Sequence, residues 1–345
     1  MKTQIPRGQI IGTGSFIPNR ILSNKDLECI VNTSDEWITQ RTGIRERRIC
    51  SKAGGETTTY MATEASLKAL AMAGISPESL DMIVVGSVTS DRLFPSTGCM
   101  VQKELNAKNA AAFDISAGCS GFLYSLSMVN NAIRSGMCKN ALVIGVERLS
   151  SIVNWQDRGT CVLLADGAGA VVVSSTTEHD GIMSTHLKSD GDMWDLLYAS
   201  EGNSYTPELL NDMDQKPYHL KMAGNRVFKK AIRCLSSIAK EAMQYNSISS
   251  KDIALIIPHQ ANIRIIHGLA KSLHIPKEKA YTNIDKYGNT SSATIPIALD
   301  KANHKGLLKK GDHLLLVTFG AGLTWASSIV RWSMEVPKVP KIKST

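Results

Sequence analysis

The sequence predicts a layered α/β protein assembled from two related halves. Three observations carry that expectation. Short β-branched or Leu-rich runs alternate with longer stretches of helical periodicity, the pattern of sheets covered by helices. The order of several of those segments repeats once along the chain. The chain has 345 residues, 43% apolar, 20% charged and 6% aromatic, which is ordinary globular composition and enough for about two domain-sized cores.

Taken in order, Gln9–Gly12 is the first strand candidate, and Thr58–Ala73 has helical spacing. Met82–Ser87 and Ala111–Ile115 are runs of strand length, and Gly121–Arg134 returns to a helical pattern. Ala141–Val146 and Ala170–Ser174 are Val- and Ala-rich strands of the buried kind. Glu178 to Pro217 is richer in Gly, Asp, Ser and Asn, with weak periodicity, and reads as a connection between halves. Helices are then expected at Arg226–Tyr245, Ile263–Leu273 and Ala293–Ala302, with strands at Ile253–Ile257 and His313–Thr318. The tail from Ser333 to Thr345 holds two prolines and three lysines and reads as flexible. The expected division is a first half at 1–177, a second at 178–332 and a tail at 333–345.

The repeat rests on four matches. Ile75–Gly86 resembles Ile248–His259, and Asn140–Val146 resembles Asp312–Thr318. Gly118-Cys119 opens a helix pattern after a strand, as Gly288-Asn289 does. Gly167-Ala-Gly169 returns as Gly320-Ala-Gly322 at a shorter offset, which implies extra residues in the first copy.

Several functions are excluded or disfavoured. Seven cysteines, an odd number without a C-x-x-C pair, argue against a disulfide framework or zinc ribbon and for a reducing cytoplasm. Pro6, Pro18 and several glycines break the N-terminus before a signal-peptide run forms, and no apolar stretch is long enough to span a membrane. Gly12-Thr-Gly14 and Gly167-Ala-Gly169 lack the third glycine of a dinucleotide fingerprint, and there is no phosphate-binding G-x-x-x-x-G-K motif. The net charge of +8 is modest, and no motif or aromatic-basic platform for nucleic acid accompanies it.

Cys119 sits among small residues where a strand runs into a helix. A sharp turn there presents its sulfur at a helix N-terminus, which favours thiolate; a buried structural cysteine is the competing reading. His259 follows the end of an apolar strand, where open α/β sheets place functional groups, although a loop histidine bonded to its own backbone fits equally. Asn289 alone could be a helix cap or turn residue. The repeat places Asn289 opposite Cys119 and His259 on the strand matching Met82–Gly86, so facing halves would bring all three to one cleft.

These segments, with Asp35–Arg45 and Phe319–Trp325, resemble the β-ketoacyl-acyl-carrier-protein synthase III family of thiolase-like condensing enzymes. The resemblance spans Gly8 to Trp332. It implies a duplicated α-β-α-β-α fold, a homodimer and a Cys119-His259-Asn289 triad. It implies decarboxylative condensation of an acyl-coenzyme A primer with malonyl-acyl carrier protein, opening fatty-acid synthesis. Coenzyme A enters as a substrate, and no metal or resident cofactor is implied. Carried over by position, the backbones of Cys119 and Ala321 form the oxyanion hole, and Trp37, Arg41, Arg158, Asn225 and Asn262 contact coenzyme A. Phe94, Leu164 and Leu323 shape the acyl pocket, with Phe94 reaching into the neighbouring subunit, and short primers are expected. Lys229 and Arg264 match positions that dock the acidic carrier protein, and Arg226, Lys230 and Arg233 share the helix pattern of Lys229. A polyketide or quinolone relative would share the same triad. A non-catalytic docking subunit would have no use for a reactive Cys119.

Overall fold

The computed structural model describes residues 5–51, 55–199 and 219–335. Its strands are β1 (Arg7–Phe16), β2 (Ile21–Ser23), β3 (Glu46–Arg48), β4 (Met82–Gly86), β5 (Ala111–Ile115), β6 (Asn140–Arg148), β7 (Asp166–Thr176), β8 (Gly181–Ser189), β9 (Leu197–Ala199), β10 (Leu220–Met222), β11 (Ile253–Pro258), β12 (His313–Gly320) and β13 (Thr324–Arg331). Ten α-helices join them among the described residues. They are α1 (Asn24–Glu28), α2 (Asp35–Thr42), α3 (Thr58–Ala73), α4 (Thr97–Leu105), α5 (Gly121–Arg134), α6 (Arg158–Cys161), α7 (Gly224–Tyr245), α8 (Ile263–Ser272), α9 (Ile284–Tyr287) and α10 (Thr294–His304).

Two larger sheets repeat one topology. The first runs β1-β7-β6-β4-β5 and the second β8-β13-β12-β11. In the first, β1/β7 and β7/β6 are antiparallel, while β6/β4 and β4/β5 are parallel. In the second, β8/β13 and β13/β12 are antiparallel and β12/β11 is parallel. A parallel bridge from Ile256 to Ala280 stands where a fifth strand would lie. Strand for strand, β4 matches β11 and β6 matches β12, as the sequence repeat predicts. The fourth match does not survive: Gly167 and Gly169 pair within β7, opposite Glu147 and Gly145, whereas Gly320-Ala-Gly322 lies at the turn from β12 to β13.

Three apolar layers hold the sheets. Helices α5 and α10 lie between them, burying Phe122, Leu126, Ile133, Ile295 and Leu299 against residues of both sheets. Helix α3 covers the outer face of the first sheet through Met61, Ala65 and Ala69, and α7 with α8 covers the second through Leu235, Ile238 and Leu269. The order is therefore α-β-α-β-α. The ends of α3 follow from its caps: Thr57 accepts from the Tyr60 N–H, and Gly74 takes a left-handed φ of 68°.

Two strands of the larger sheets were hidden from the sequence, as were the short pairs β2/β3 and β9/β10. Gly181–Ser189 lies inside the stretch read as a connection, yet forms the edge strand β8, whose half-exposed outer end carries polar residues. Positions 200–217 of that stretch lie outside the described residues, as do 336–345 of the tail. In β13, Ser327 and Ser328 are fully buried and donate to the carbonyls of Ile238 and Ser184 at 2.9 and 3.0 Å, so a core strand reads as half polar.

Candidate active site

The C-terminal ends of the parallel strands β4, β6, β11 and β12 converge on one region, where open α/β sheets place their chemistry. The turn carrying Cys119 enters it just before α5. Gly118 has a φ of +53°, and a Cβ there would lie 2.8 Å from the Ala321 nitrogen. A Cβ on Gly320 would lie 2.5 Å from the Cys119 nitrogen. Only glycine permits both approaches. The Thr318 hydroxyl donates to the Cys119 carbonyl at 2.9 Å, and that of Thr324 to the Ala117 carbonyl at 2.8 Å, stitching this turn to the second half. The N–H groups of Cys119 and Ala321 thus come side by side, and neither donates to an oxygen of the described residues.

Asn289 is held by its backbone. Its N–H donates to the Leu163 carbonyl and its carbonyl accepts from Ala165, both at 2.9 Å. Fully buried Arg47 donates to the carbonyls of Leu22 and Val162 and braces that segment. The Ser291 N–H donates to Asn289 Oδ1 at 2.8 Å, which fixes the amide orientation and leaves its NH₂ as a donor.

His259 follows β11, its N–H donating to the Val317 carbonyl at 2.8 Å. Its Nδ1 lies 2.7 Å from the Thr294 hydroxyl oxygen, which is itself 2.9 Å from the Ser291 carbonyl. Burial pushes the imidazole pKa down to about 3, so the ring is neutral at working pH. The Thr294 hydroxyl donates to the Ser291 carbonyl; in the rotamer that turns its proton to Nδ1 instead, the ring hydrogen sits on Nε2, which is then a donor.

The charge state of Cys119 corrects an expectation. Burial pushes its thiol up to about 11, more than the facing Ser291 side chain offsets, and nearby Glu147 opposes a second negative charge. Desolvation is the largest influence on the sulfur, and Cys119 rests as the thiol.

Two cavities meet at Cys119 and Asn289. One, of about 510 Å³, is lined by Val88, Leu149, Ile152, Leu164 and Ala321 among others. The other, of about 100 Å³, contains His259 together with Asn262, Phe228 and Phe319 beneath α7 and α8. All three triad residues line this second cavity. Leu323 does not belong to either: mutual backbone bonds with Asp190 hold it, and its side chain is buried in the core under α7. Phe94 is 84% exposed and stands clear of its own chain's pocket, which Leu93 lines instead.

The guanidiniums of Arg41 and Arg158 both lie over the Trp37 ring, 4.8 and 4.7 Å from its centroid. Asn262 lines the smaller cavity while capping α8 and donating to the Arg41 carbonyl at 3.0 Å. Asn225 is exposed at the start of α7 and lines neither cavity. Lys229 and Arg264 are exposed on packed neighbours α7 and α8, with Arg226 and Arg233 also exposed. Lys230 is instead paired with Asp190 at 3.1 Å. Sequence reasoning missed Glu147, Ser291 and Thr294. The one available signal was an acidic residue at the end of an otherwise apolar strand.

Matches to known proteins agree with this geometry. Residues 113–191 match the family model described as 3-oxoacyl-[acyl-carrier-protein] synthase III, and residues 243–332 match its C-terminal domain. A β-ketoacyl-[acyl-carrier-protein] synthase III of Caldanaerobacter subterraneus is 51% identical over 94% of this chain and 97% of its own. The crystal structure of 3-oxoacyl-[acyl-carrier-protein] synthase III from Aquifex aeolicus, 47% identical, covers 94% of this chain and 100% of its own with a TM-score of 0.88. A priming β-ketosynthase of a polyketide pathway is 34% identical, covers 98% and 99%, and gives a TM-score of 0.91. The fold is that of the thiolase-like condensing enzymes, which are acyltransferases. Within that class, the chain belongs to the β-ketoacyl-[acyl-carrier-protein] synthase III family.

Proposed function

We propose that this enzyme condenses a short acyl-coenzyme A, acetyl favoured, with malonyl-acyl carrier protein through an acyl-Cys119 intermediate. The observation that carries the reading is the convergence of Cys119, His259 and Asn289 on one cavity, with the free N–H groups of Cys119 and Ala321 beside the sulfur. Cys119 Sγ attacks the primer thioester, the C–S bond to coenzyme A breaks, and the acyl group stays on the enzyme. The malonyl thioester then loses carbon dioxide. Its enolate oxygen is stabilised by His259 Nε2–H and the Asn289 amide, neutral donors that gain most when charge develops. The enolate carbon attacks the acyl-Cys119 carbonyl, whose oxyanion faces the paired N–H groups. The nucleophile belongs to the half at 1–177 and the two donors to the half at 178–332, a division the repeated sheet topology supports.

Trp37 with Arg41 and Arg158 suits an adenine and its phosphates: an aromatic face for stacking and two cations for the anion. The protein acts as a cytoplasmic homodimer in this reading. The edge strand β5 and the exposed Leu93-Phe94 pair supply an unpaired sheet edge and an apolar finger for a second copy. The test is reconstitution with acyl-coenzyme A and malonyl-carrier protein. Formation of 3-oxoacyl-carrier protein with release of carbon dioxide is expected, and a protein that consumes neither substrate would contradict the reading. The polyketide-type relative motivates a second arm, in which longer or branched primers replace acetyl as the preferred substrate.

Three variants examine the parts. Lys229→Glu and Arg264→Glu should raise KM for malonyl-carrier protein by roughly three- to tenfold and lose that effect in high salt, since surface charge mainly steers encounter. Acylation by acyl-coenzyme A should be spared, and equal loss in both half-reactions would remove the docking assignment. Phe94→Thr should shift acylation toward primers of six or more carbons while dimers persist, by about ten- to hundredfold in relative rate if the ring fills the neighbour's pocket. An unchanged chain-length profile in a dimeric variant would show that the pocket ends elsewhere.

A further inference from the structure

A carboxyl group with no part in the scheme above lies beside the nucleophile. Glu147 is the next-to-last residue of β6, with none of its surface exposed. Its Oε2 accepts from the Thr89 hydroxyl at 2.6 Å, the Val88 N–H at 3.1 Å and, at longer range, the Ser87 hydroxyl at 3.4 Å. Its Oε1 accepts from the hydroxyls of Ser291 and Ser292, both at 3.1 Å. Ser292 lies closer to the Gly86 carbonyl, at 2.7 Å, so Ser291 is the principal donor to Oε1. Ser291 lines the larger cavity together with Cys119, and its side chain holds the thiol lower than burial alone would. Ser291 also holds a φ of +50°, a left-handed conformation uncommon for a residue with a side chain. The carboxyl and the hydroxyl are hydrogen-bonded, and the thiol lies on the same cavity wall as the hydroxyl.

We propose that Glu147, acting through the Ser291 hydroxyl, takes the Cys119 proton during acylation and returns it after condensation. The inference rests on the acyl-cysteine reading above. As Sγ bonds the thioester carbonyl carbon, the Sγ–H bond breaks and its proton passes to the Ser291 oxygen. The Ser291 proton passes in turn to Glu147 Oε1. Coenzyme A departs as its thiolate and takes a proton from water. After condensation the C–S bond to Cys119 breaks, the electron pair returns to Sγ, and the Glu147 proton travels back. The pair carries one negative charge before acylation and none in the acyl-enzyme, because that charge leaves with the coenzyme A thiolate, and it never carries two. Ionising Cys119 beside an ionised Glu147 would bury two, which a desolvated site resists.

Glu147 is a positioning residue, since it reaches the sulfur only through Ser291. Burial pushes its carboxyl up to about 7, with the Thr89, Val88, Ser292 and Ser291 donors holding it lower than burial alone would. The groups facing it are the Cys119 thiol from the turn before α5, the Ser87–Thr89 segment after β4, Ser291 and Ser292 before α10, and Gly167 across the sheet on β7. Arg148, next along β6, lines the outer groove with Asp91 and Glu64.

The test is the pH profile of acylation by acetyl-coenzyme A, read by intact mass over time. The carboxylate is the form that accepts, so the parent rate should rise with pH and level off above neutrality. Glu147→Gln keeps the shape and can still bond the Val88 and Thr89 donors, but it cannot take the proton. It should acylate on the order of a hundredfold more slowly, without levelling, and acylation should fall further than malonyl decarboxylation. Ser291→Ala keeps the carboxyl but breaks the chain, and should lose the levelling too; it decides the matter if the Gln variant does not fold. A parent-like rate and profile in a folded Gln variant, or in Ser291→Ala when the Gln variant fails to fold, would overturn the proposal. No acylation by the parent protein would overturn both this and the reading beneath it.

Discussion

Cys119→Ser is expected to abolish acyl transfer from acyl-coenzyme A, a loss of at least about a thousandfold. The thiol of Cys119 is already hard to ionise, its pKa pushed up to about 11 by burial. A serine hydroxyl in the same desolvated turn is far harder, and its alkoxide would be destabilised by the same burial. The backbone that presents residue 119 does not depend on sulfur: Gly118, Gly320 and the Thr318 and Thr324 bonds remain. The variant should therefore fold with parent stability, checked by its melting temperature, while a stopped assay shows no acyl-enzyme. Retained transfer at more than a few per cent of the parent rate would move the nucleophile elsewhere.

His259→Ala and Asn289→Ala should each slow decarboxylation of malonyl-carrier protein by about a hundred- to a thousandfold, the scale of losing one donor to a developing oxyanion. Acylation of Cys119 should survive in both. Because burial keeps His259 neutral down to about pH 3, protonation of this ring should put no break in the activity profile near 6.5. The sign is definite: a depressed histidine pKa removes the charged form from the working range, so decarboxylation should not fall there through His259. A parent rate of decarboxylation in both variants would remove the enolate-donor assignment.

Much of this was legible in the sequence because the two kinds of signal agreed. Helices α3 and α5 end where their periodicity ends, and the repeat of Ile75–Gly86 and Asn140–Val146 foretold the matching strands β11 and β12. The nucleophile's turn was legible through its small residues, and Asn289 through its place opposite Cys119. What escaped did so for physical reasons. Ser327 and Ser328 satisfy their hydroxyls within the core, so β13 carries no alternation to detect. Leu323 looked like a pocket residue by position, but its backbone pairing with Asp190 commits the side chain to the core. The ionisation of Cys119 depends on how completely the folded halves exclude water, which no local pattern encodes. Glu147 meets Ser291 only because the end of β6 and the segment before α10, 144 residues apart in the chain, are brought together by the facing halves.

Whether Cys119 carries the acyl group is read directly by intact mass. The purified protein is incubated with acetyl-, propionyl- and longer acyl-coenzyme A, then digested to locate the adduct. A gain of one acyl group per chain is expected, on the peptide containing Cys119, largest for the short primers and absent in Cys119→Ala. No adduct with any primer, or an adduct that persists in Cys119→Ala, would contradict an acyl-Cys119 intermediate.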